Sequence, residues 1–99
     1  MSVKIQSVKF DASTKLLEFV EKKASKLDRL FDGIIETEVI LKLENSQDLE
    51  NKVAEINVKV PNGDLFAERK SKTFEEAVDL CIDALKVQVQ KHKEKIRGV

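Results

Sequence analysis

The sequence has few of the residues on which disulfide, aromatic or phosphate-loop chemistry depends. Its 99 residues include one cysteine, one proline, one histidine and three glycines, with five phenylalanines and neither tryptophan nor tyrosine. One cysteine cannot form an internal disulfide, so the cysteine content gives no indication of secretion. Three scattered glycines form no phosphate-binding loop, and one histidine with one distant cysteine supplies too few ligands for zinc. We therefore expect no enzymatic activity, no metal, no cofactor and no small-molecule substrate.

The chain also has no long apolar segment. Its first six residues alternate between apolar and polar types, unlike a signal peptide. Nothing approaches the roughly 20 apolar residues that cross a bilayer. A length of 99 residues is typical of one domain, and a hydrophobic fraction of 41% in periodic segments indicates a folded chain. We expect a single cytoplasmic domain over residues 1–99, with no membrane partner.

Neither charge sign is in excess. The 18 basic residues are matched by 18 acidic residues, so the formal net charge is zero. Nucleic-acid-binding domains are usually basic overall, which argues mildly against that function. A local concentration of positive charge can still set a local potential, so the distribution of the charges matters more than their sum.

The first third of the chain predicts a strand followed by a helix. Val3 and Ile5 alternate with polar residues, as in a strand. Apolar residues then recur at helical spacing from about Ser13, a candidate N-cap, to Phe31. We expect Gly33 to end this helix in the left-handed conformation. The helical positions expected to face the core are Leu16, Val20, Ala24, Leu27 and Phe31.

The middle of the chain predicts three strands. Strict alternation over 35–44 and again over 54–60 is typical of strands with one wet face, and the polar segment 45–51 between them indicates a loop. The sequence Pro-Asn-Gly-Asp at 61–64 predicts a tight turn, followed by a strand over about 65–70. The side chains expected to face the core are Ile35, Thr37, Val39, Leu41, Leu43, Ala54, Ile56, Val58 and Val60.

The last element is a long helix. Thr73 and Glu76 form a capping-box pattern, and the helical pattern continues to about Lys95 or Arg97. One stripe at helical spacing consists of Phe74, Val78, Cys81, Ile82, Leu85, Val89 and Ile96. The order β-α-β-β-β-α predicts a two-layer α+β domain, in which two helices cover one face of a four-stranded antiparallel sheet.

Charge is unevenly distributed along the last helix. The acids of its first half are Glu75, Glu76, Asp79 and Asp83, and the bases of its second half are Lys86, Lys91, Lys93, Lys95 and Arg97. The helix dipole favours this order by ~0.3–1 kcal/mol per charge, but it needs only one or two bases in the final turn. Five bases over about three turns exceed that need and favour an anionic ligand.

The first helix carries a second basic row. At 100° per residue one stripe, roughly opposite the apolar face, contains Lys15, Lys22, Lys26 and Arg29. A solvated helix face would also explain this stripe. Basic rows on two helices of one layer suit the phosphates of RNA. The scarcity of aromatic residues argues against base stacking on the sheet.

Three other features have competing interpretations. Glu36, Glu38 and Glu44 form an acidic row on the wet sheet face, and a protein-interaction module docking there or at a strand edge is the alternative function. His92 falls on the apolar stripe of the last helix, so we expect a partly buried structural role first and an RNA contact second. Cys81 lies in the middle of that stripe and is typical of a small core residue.

Several segments together resemble the ribosome hibernation-promoting factors and the related ribosome-associated inhibitors, once described as sigma-factor modulation proteins. The matching residues of the last helix are 74–79, 82–85, Gln88 and 91–95, and those of the first third are Leu16, 18–20, Lys23, 26–27 and 31–32. The combination covers nearly the whole chain. The family commonly has basic residues where this sequence has Ala84 and Val87.

The resemblance implies a fold similar to double-stranded-RNA-binding domains. It also implies ribosome hibernation and translation inhibition, with the small ribosomal subunit as partner. The protein would contact ribosomal RNA in the neck channel and overlap the paths of messenger and transfer RNA. The RNA-binding residues carried over by position are Lys22, Lys23, Lys26, Arg29, Lys86, Lys91, His92, Lys93 and Lys95.

Overall fold

The computed structural model describes residues 2–44, 49–61 and 63–96, apart from the side chains of residues 93, 95 and 96. The elements are β1 (Ser2–Val8), α1 (Thr14–Leu30), β2 (Glu36–Leu43), β3 (Lys52–Val60), β4 (Gly63–Ser71) and α2 (Phe74–Ile96). The predicted order β-α-β-β-β-α is confirmed, and the α+β class with it. Neither helix, within these residues, contains an apolar stretch long enough to cross a membrane.

The four strands form one mixed sheet in the order β1-β2-β3-β4. β2, β3 and β4 are joined as an antiparallel meander, but β1 runs parallel to β2, with Ile5 opposite Val39. The expectation of an antiparallel sheet is therefore wrong for β1. The reason is the 17-residue helix α1 between the two strands, because such a crossover returns the chain to the end of the sheet from which it started.

Helix α1 begins as the sequence predicts but ends differently. The Ser13 hydroxyl accepts a hydrogen bond from the Leu16 N–H at 3.1 Å, which caps the first turn. The helix ends at Phe31, whose backbone is extended. The prediction that Gly33 adopts the left-handed conformation is wrong, since its φ is not positive. A Cβ on Gly33 would lie 2.5 Å from Phe31 Cζ, so a larger residue there would require the phenylalanine ring to move.

The alternation predicted for the central strands is confirmed. Thr37, Val39 and Leu41 of β2 are buried under the helices. The four core positions predicted on β3 are also buried, and they are Ala54, Ile56, Val58 and Val60. Ile35 is an exception, because it precedes β2 and is 61% exposed. In the predicted turn at 61–64, Asn62 lies outside the described residues, and β4 begins at Gly63.

Helix α2 closes the core over β3 and β4. Thr73 Oγ1 accepts a hydrogen bond from the Glu76 N–H at 3.1 Å, as the capping pattern predicts. Phe74 stacks on Phe10, with ring centroids 4.4 Å apart, and so ties the start of α2 to the segment after β1. The predicted stripe is buried at Phe74, Val78, Cys81, Ile82, Leu85 and Val89, and the side chain of Ile96 lies outside the described residues.

Cys81 is a core residue, as predicted. It is fully buried, and its Sγ lies 3.2 Å from Ala54 O and 3.7 Å from Ala67 O. Burial raises the pKa of the Cys81 thiol to about 11, because the thiolate would lose its hydration. The thiol is therefore protonated near neutral pH and inaccessible to reagents.

One side chain of α2 pairs with the outer edge of β4. Gln88 Nε2 donates to Phe66 O at 2.7 Å, and the Phe66 N–H donates to Gln88 Oε1 at 3.3 Å. The amide thus takes the place of a neighbouring strand at this point of the edge. The sequence analysis placed Gln88 only in the family resemblance and did not anticipate this contact.

We expect replacement of Gln88 by alanine to lower the free energy of unfolding by about 1–2 kcal/mol, because two hydrogen bonds to the backbone are lost. Gln90→Ala is the matched control, since Gln90 is exposed on the same helix and should change stability by less than about 0.5 kcal/mol. Urea denaturation of the two variants measures the difference. Equal losses in both would show that the contact at the edge contributes no net stability.

We expect the Cys81 thiol to react with a disulfide reagent at pH 8 at least ~100-fold more slowly in the folded protein than in urea, because the thiolate is scarce and buried. The absorbance of the released reagent thiol gives both rates. Similar rates in the folded and unfolded chain would contradict the burial of this residue.

Candidate nucleic-acid interface

The two helices lie side by side on the sheet and are joined by an ion pair. Lys23 Nζ of α1 lies 2.9 Å from Asp79 Oδ1 of α2. The Lys23 ammonium also lies 5.4 Å from the centroid of the Phe19 ring. The hydrogen bond that Lys23 donates to Asp79 raises the pKa of Lys23, so this lysine is held in its charged form by a partner on the other helix.

A cluster of lysines surrounds this ion pair. The positive charge of Lys23, together with partial burial, lowers the pKa of Lys26, and the charges of Lys86 and Lys22 lower it further. Lys86 belongs to α2, so bases from both helices are close enough to repel one another. We call Lys22, Lys23, Lys26 and Lys86 the interhelical basic cluster. It brings together four of the residues predicted to bind RNA.

The direction of the helices determines where the remaining bases lie. Lys23 of α1 contacts Asp79, and Lys26, one turn later, is near Lys86, so positions along both helices advance together. The helices therefore run in the same general direction. Arg29 near the end of α1 is exposed and extends the basic surface along that helix, whereas the exposed Lys91 lies on the other flank of α2, beside Leu65 of β4.

His92 occupies the position that the first interpretation predicted. It is partly buried, and its ring meets the edge of the Phe31 ring with centroids 5.3 Å apart. Its Nε2 atom is buried and has no hydrogen-bond partner among the described residues. With Leu65, Gln88 and Lys91 it lines a shallow cleft of about 190 Å³ beside the edge of β4. This packing favours the structural role over the RNA contact.

Two predicted RNA-binding residues cannot be placed in the same detail. The backbone of α2 is helical through Lys93 and Lys95, but their side chains lie outside the described residues. The two lysines therefore stay predictions that rest on the sequence.

On the opposite face of the sheet, the charged side chains pair with one another. Glu36 pairs with both Lys4 and Lys59, at 3.2 and 3.5 Å, and Glu38 pairs with Lys59 at 3.3 Å. Glu44 pairs with Lys70 at 3.0 Å. The acidic row predicted from the sequence exists, but each of its members has a cationic partner. It is therefore not the bare acidic surface that the alternative interaction function requires.

The lysines of the sheet face and those of the helix layer differ in whether they pair with an acid. On the sheet face Lys4, Lys42, Lys59 and Lys70 each pair with a glutamate. On the helix layer, as far as the structure describes the chain, Lys23 alone is paired with an acid, whereas Lys22, Lys26, Arg29 and Lys86 form no ion pair. A formal net charge of zero thus conceals a sheet face whose lysines are paired and a local cluster of unpaired bases between the helices.

The residues also limit other chemistry. Within the described part of the chain, no three His, Cys, Asp or Glu side chains come together as a metal site would require. The arrangement in the helix layer is suited instead to an anionic ligand with repeated charges, because several ammonium groups point to solvent from two adjacent helices.

Comparison with known proteins identifies the family of this chain. Residues 3–97 match the family model described as "Sigma 54 modulation protein / S30EA ribosomal protein". The ribosome hibernation promoting factor of Klebsiella oxytoca is 30% identical over 97 residues, which cover 98% of each chain. The factor of the same name from Azotobacter vinelandii is 35% identical over 95 residues, covering 96% of this chain and 85% of the relative.

Two solved structures are similar over nearly the whole fold. A ribosomal subunit interface protein from Coxiella burnetii superposes with a TM-score of 0.84 at 28% identity, covering 95% of this chain and 99% of that one. The N-terminal domain of Protein Y from Thermus thermophilus gives 0.79 at 29% identity, covering 93% and 99%. The resemblance found in the sequence is confirmed, and this chain belongs to the family of Sigma 54 modulation proteins and S30EA ribosomal proteins, which includes the ribosome hibernation promoting factors.

Proposed function

We propose that this protein binds ribosomal RNA of the small ribosomal subunit in the decoding channel and inhibits translation by excluding messenger and transfer RNA. The observation that carries the proposal is the interhelical basic cluster, where bases of two helices converge although the chain has no net charge. The names of the relatives, which refer to ribosome hibernation and to the ribosomal subunit interface, support the choice of partner.

The cluster suits an RNA backbone for electrostatic reasons. Lysines held near one another raise the local positive potential, and the lowered pKa of Lys26 reflects their mutual repulsion. Phosphates relieve that repulsion, and each phosphate that is neutralised releases a condensed counterion. We therefore assign direct phosphate contacts to Lys22, Lys26, Arg29 and Lys86. Lys91, Lys93 and Lys95 would extend the contact along α2, with a smaller part for His92.

Inhibition then requires no chemical step. A folded domain with Cα extents of 47 × 24 × 17 Å has enough bulk to block a channel that must admit messenger and transfer RNA. Binding competes with those ligands by mass action, so the extent of inhibition depends on protein concentration and affinity. The protein acts where ribosomes are, in the cytoplasm, and it needs no cofactor.

We expect a variant with Lys22, Lys26 and Lys86 replaced by alanine to lose affinity for purified small ribosomal subunits. The slope of log affinity against log salt should become shallower by about 2–3, given ~0.7–0.9 per phosphate contact. Co-sedimentation across a salt series from low to near-physiological concentration measures this slope.

The matched control replaces Lys4, Lys42 and Lys59 of the sheet face, which changes the net charge by the same amount. These lysines already pair with glutamates, so we expect the control to keep a slope close to that of the unmodified protein. The proposal fails if both variants lose slope equally, or if the unmodified protein does not associate with the subunit at any salt concentration. Circular dichroism spectra confirm that both variants fold.

A further inference from the structure

The ion pair between the helices lies inside the surface that we assign to RNA. Lys23 is the one member of the interhelical basic cluster that is paired with an acid in the described part of the chain, and its partner Asp79 comes from the opposite helix. The Asp79 side chain is 47% exposed and the Lys23 side chain 24% exposed. An approaching phosphate can therefore reach the pair without displacing any core residue.

We propose that Asp79 is a built-in counter-ion that occupies a phosphate-binding position of the basic cluster, so that RNA must displace its carboxylate to engage Lys23. This inference rests on the proposed RNA-binding function and adds that a carboxylate of the protein itself lowers its affinity for RNA.

The chemistry of the two groups supports an exchange. A carboxylate and a phosphate offer the same kind of anionic oxygen to an ammonium group, and the Asp79 oxygen lies at hydrogen-bonding distance, 2.9 Å, from Lys23 Nζ. The Phe19 ring lies 5.4 Å from the ammonium and attracts it through a cation–π contact. This contact keeps Lys23 in place when the carboxylate moves away. An exposed ion pair is weak, so a phosphate that also contacts Lys26 or Lys86 can compete with it.

The exchange has a consequence for salt dependence. When Lys23 neutralises a phosphate, the RNA releases one cation, but the freed Asp79 carboxylate attracts a cation in return. Lys23 therefore contributes little to the net release of ions while Asp79 is present. Removing the negative charge of Asp79 should turn Lys23 into a full phosphate contact.

Asp79 is distinguished from the other acids of α2 by its contact. Asp83 also acts on Lys23 through its charge, but only Asp79 forms an ion pair with it among the described residues. Glu75 and Glu76 lie in the first turn of the helix, where the dipole accounts for them. The acidic half of α2, which the sequence analysis explained by the dipole, thus contains one residue with a separate role.

The test compares Asp79→Asn with the unmodified protein on purified small ribosomal subunits across a salt series. Asparagine keeps the size of the side chain and removes its charge. We expect the affinity at low salt to rise roughly two- to fivefold. The slope of log affinity against log salt should steepen by ~0.7–0.9, so that affinity falls about threefold further than for the unmodified protein between 50 and 200 mM salt.

Two further variants separate a local effect from a general one. Asp64→Asn makes the same change in net charge on the sheet face and should leave the slope unchanged. The double variant Asp79→Asn with Lys23→Ala should lose the gain, because the extra phosphate contact needs Lys23. Urea denaturation of each variant shows whether stability has changed, and a merely structural role of the pair would alter stability without steepening the slope.

The outcomes are distinct. A steeper slope for Asp79→Asn that Lys23→Ala reverses supports the inference. It is overturned if the unmodified protein binds with a clear salt dependence but Asp79→Asn leaves the slope unchanged, or if Asp64→Asn has the same effect; the proposed function then stands without it. Absence of salt-dependent association for the unmodified protein refutes the proposed function and this inference together.

Discussion

The packing of both helices against one face of the sheet is the constraint from which the other features follow. Helix α1 connects two parallel neighbouring strands, β1 and β2, whereas α2 packs over β3 and β4. The helices must therefore lie side by side and present one flank each to the other. Lys22, Lys23 and Lys26 lie on or near that flank of α1, and Lys86 lies on that of α2. Packing alone therefore concentrates bases that are 60 to 64 residues apart in the chain.

The sheet face shows why a neutral chain can still carry a basic surface. On that face Glu36 lies between Lys4 and Lys59, and Lys42 pairs with Glu55. Glutamates that are paired with lysines of the same face contribute little net negative charge to the helix layer on the other side of the core. The sum of charges, which argued mildly against nucleic-acid binding, therefore says little about this protein, because the members of the interhelical basic cluster other than Lys23 form no ion pair among the described residues.

The sequence was sufficient for features that depend on one element at a time. Periodicity identified both helices and the central strands, because each of these buries a single face. It failed where two elements determine the outcome. The parallel pairing of β1 depends on the crossover, and the space for a side chain at position 33 is limited by the ring of Phe31.

The same limit applies to the candidate site, where features of one helix were predictable and features that depend on two helices were not. The basic stripe of α1 and the basic half of α2 could be predicted, since each lies on one helix. Their convergence could not, because a helical wheel does not show which flank meets a neighbour. For the same reason Asp79 was explained by the dipole alone, although its position on the Lys86 flank was a usable signal. A cluster of like charges also needs compensation in the free protein, and Asp79 supplies it at one lysine. Under the proposed function, the contact that stabilises the unbound helix layer is also the one that RNA replaces, so stability and affinity are opposed at this one contact.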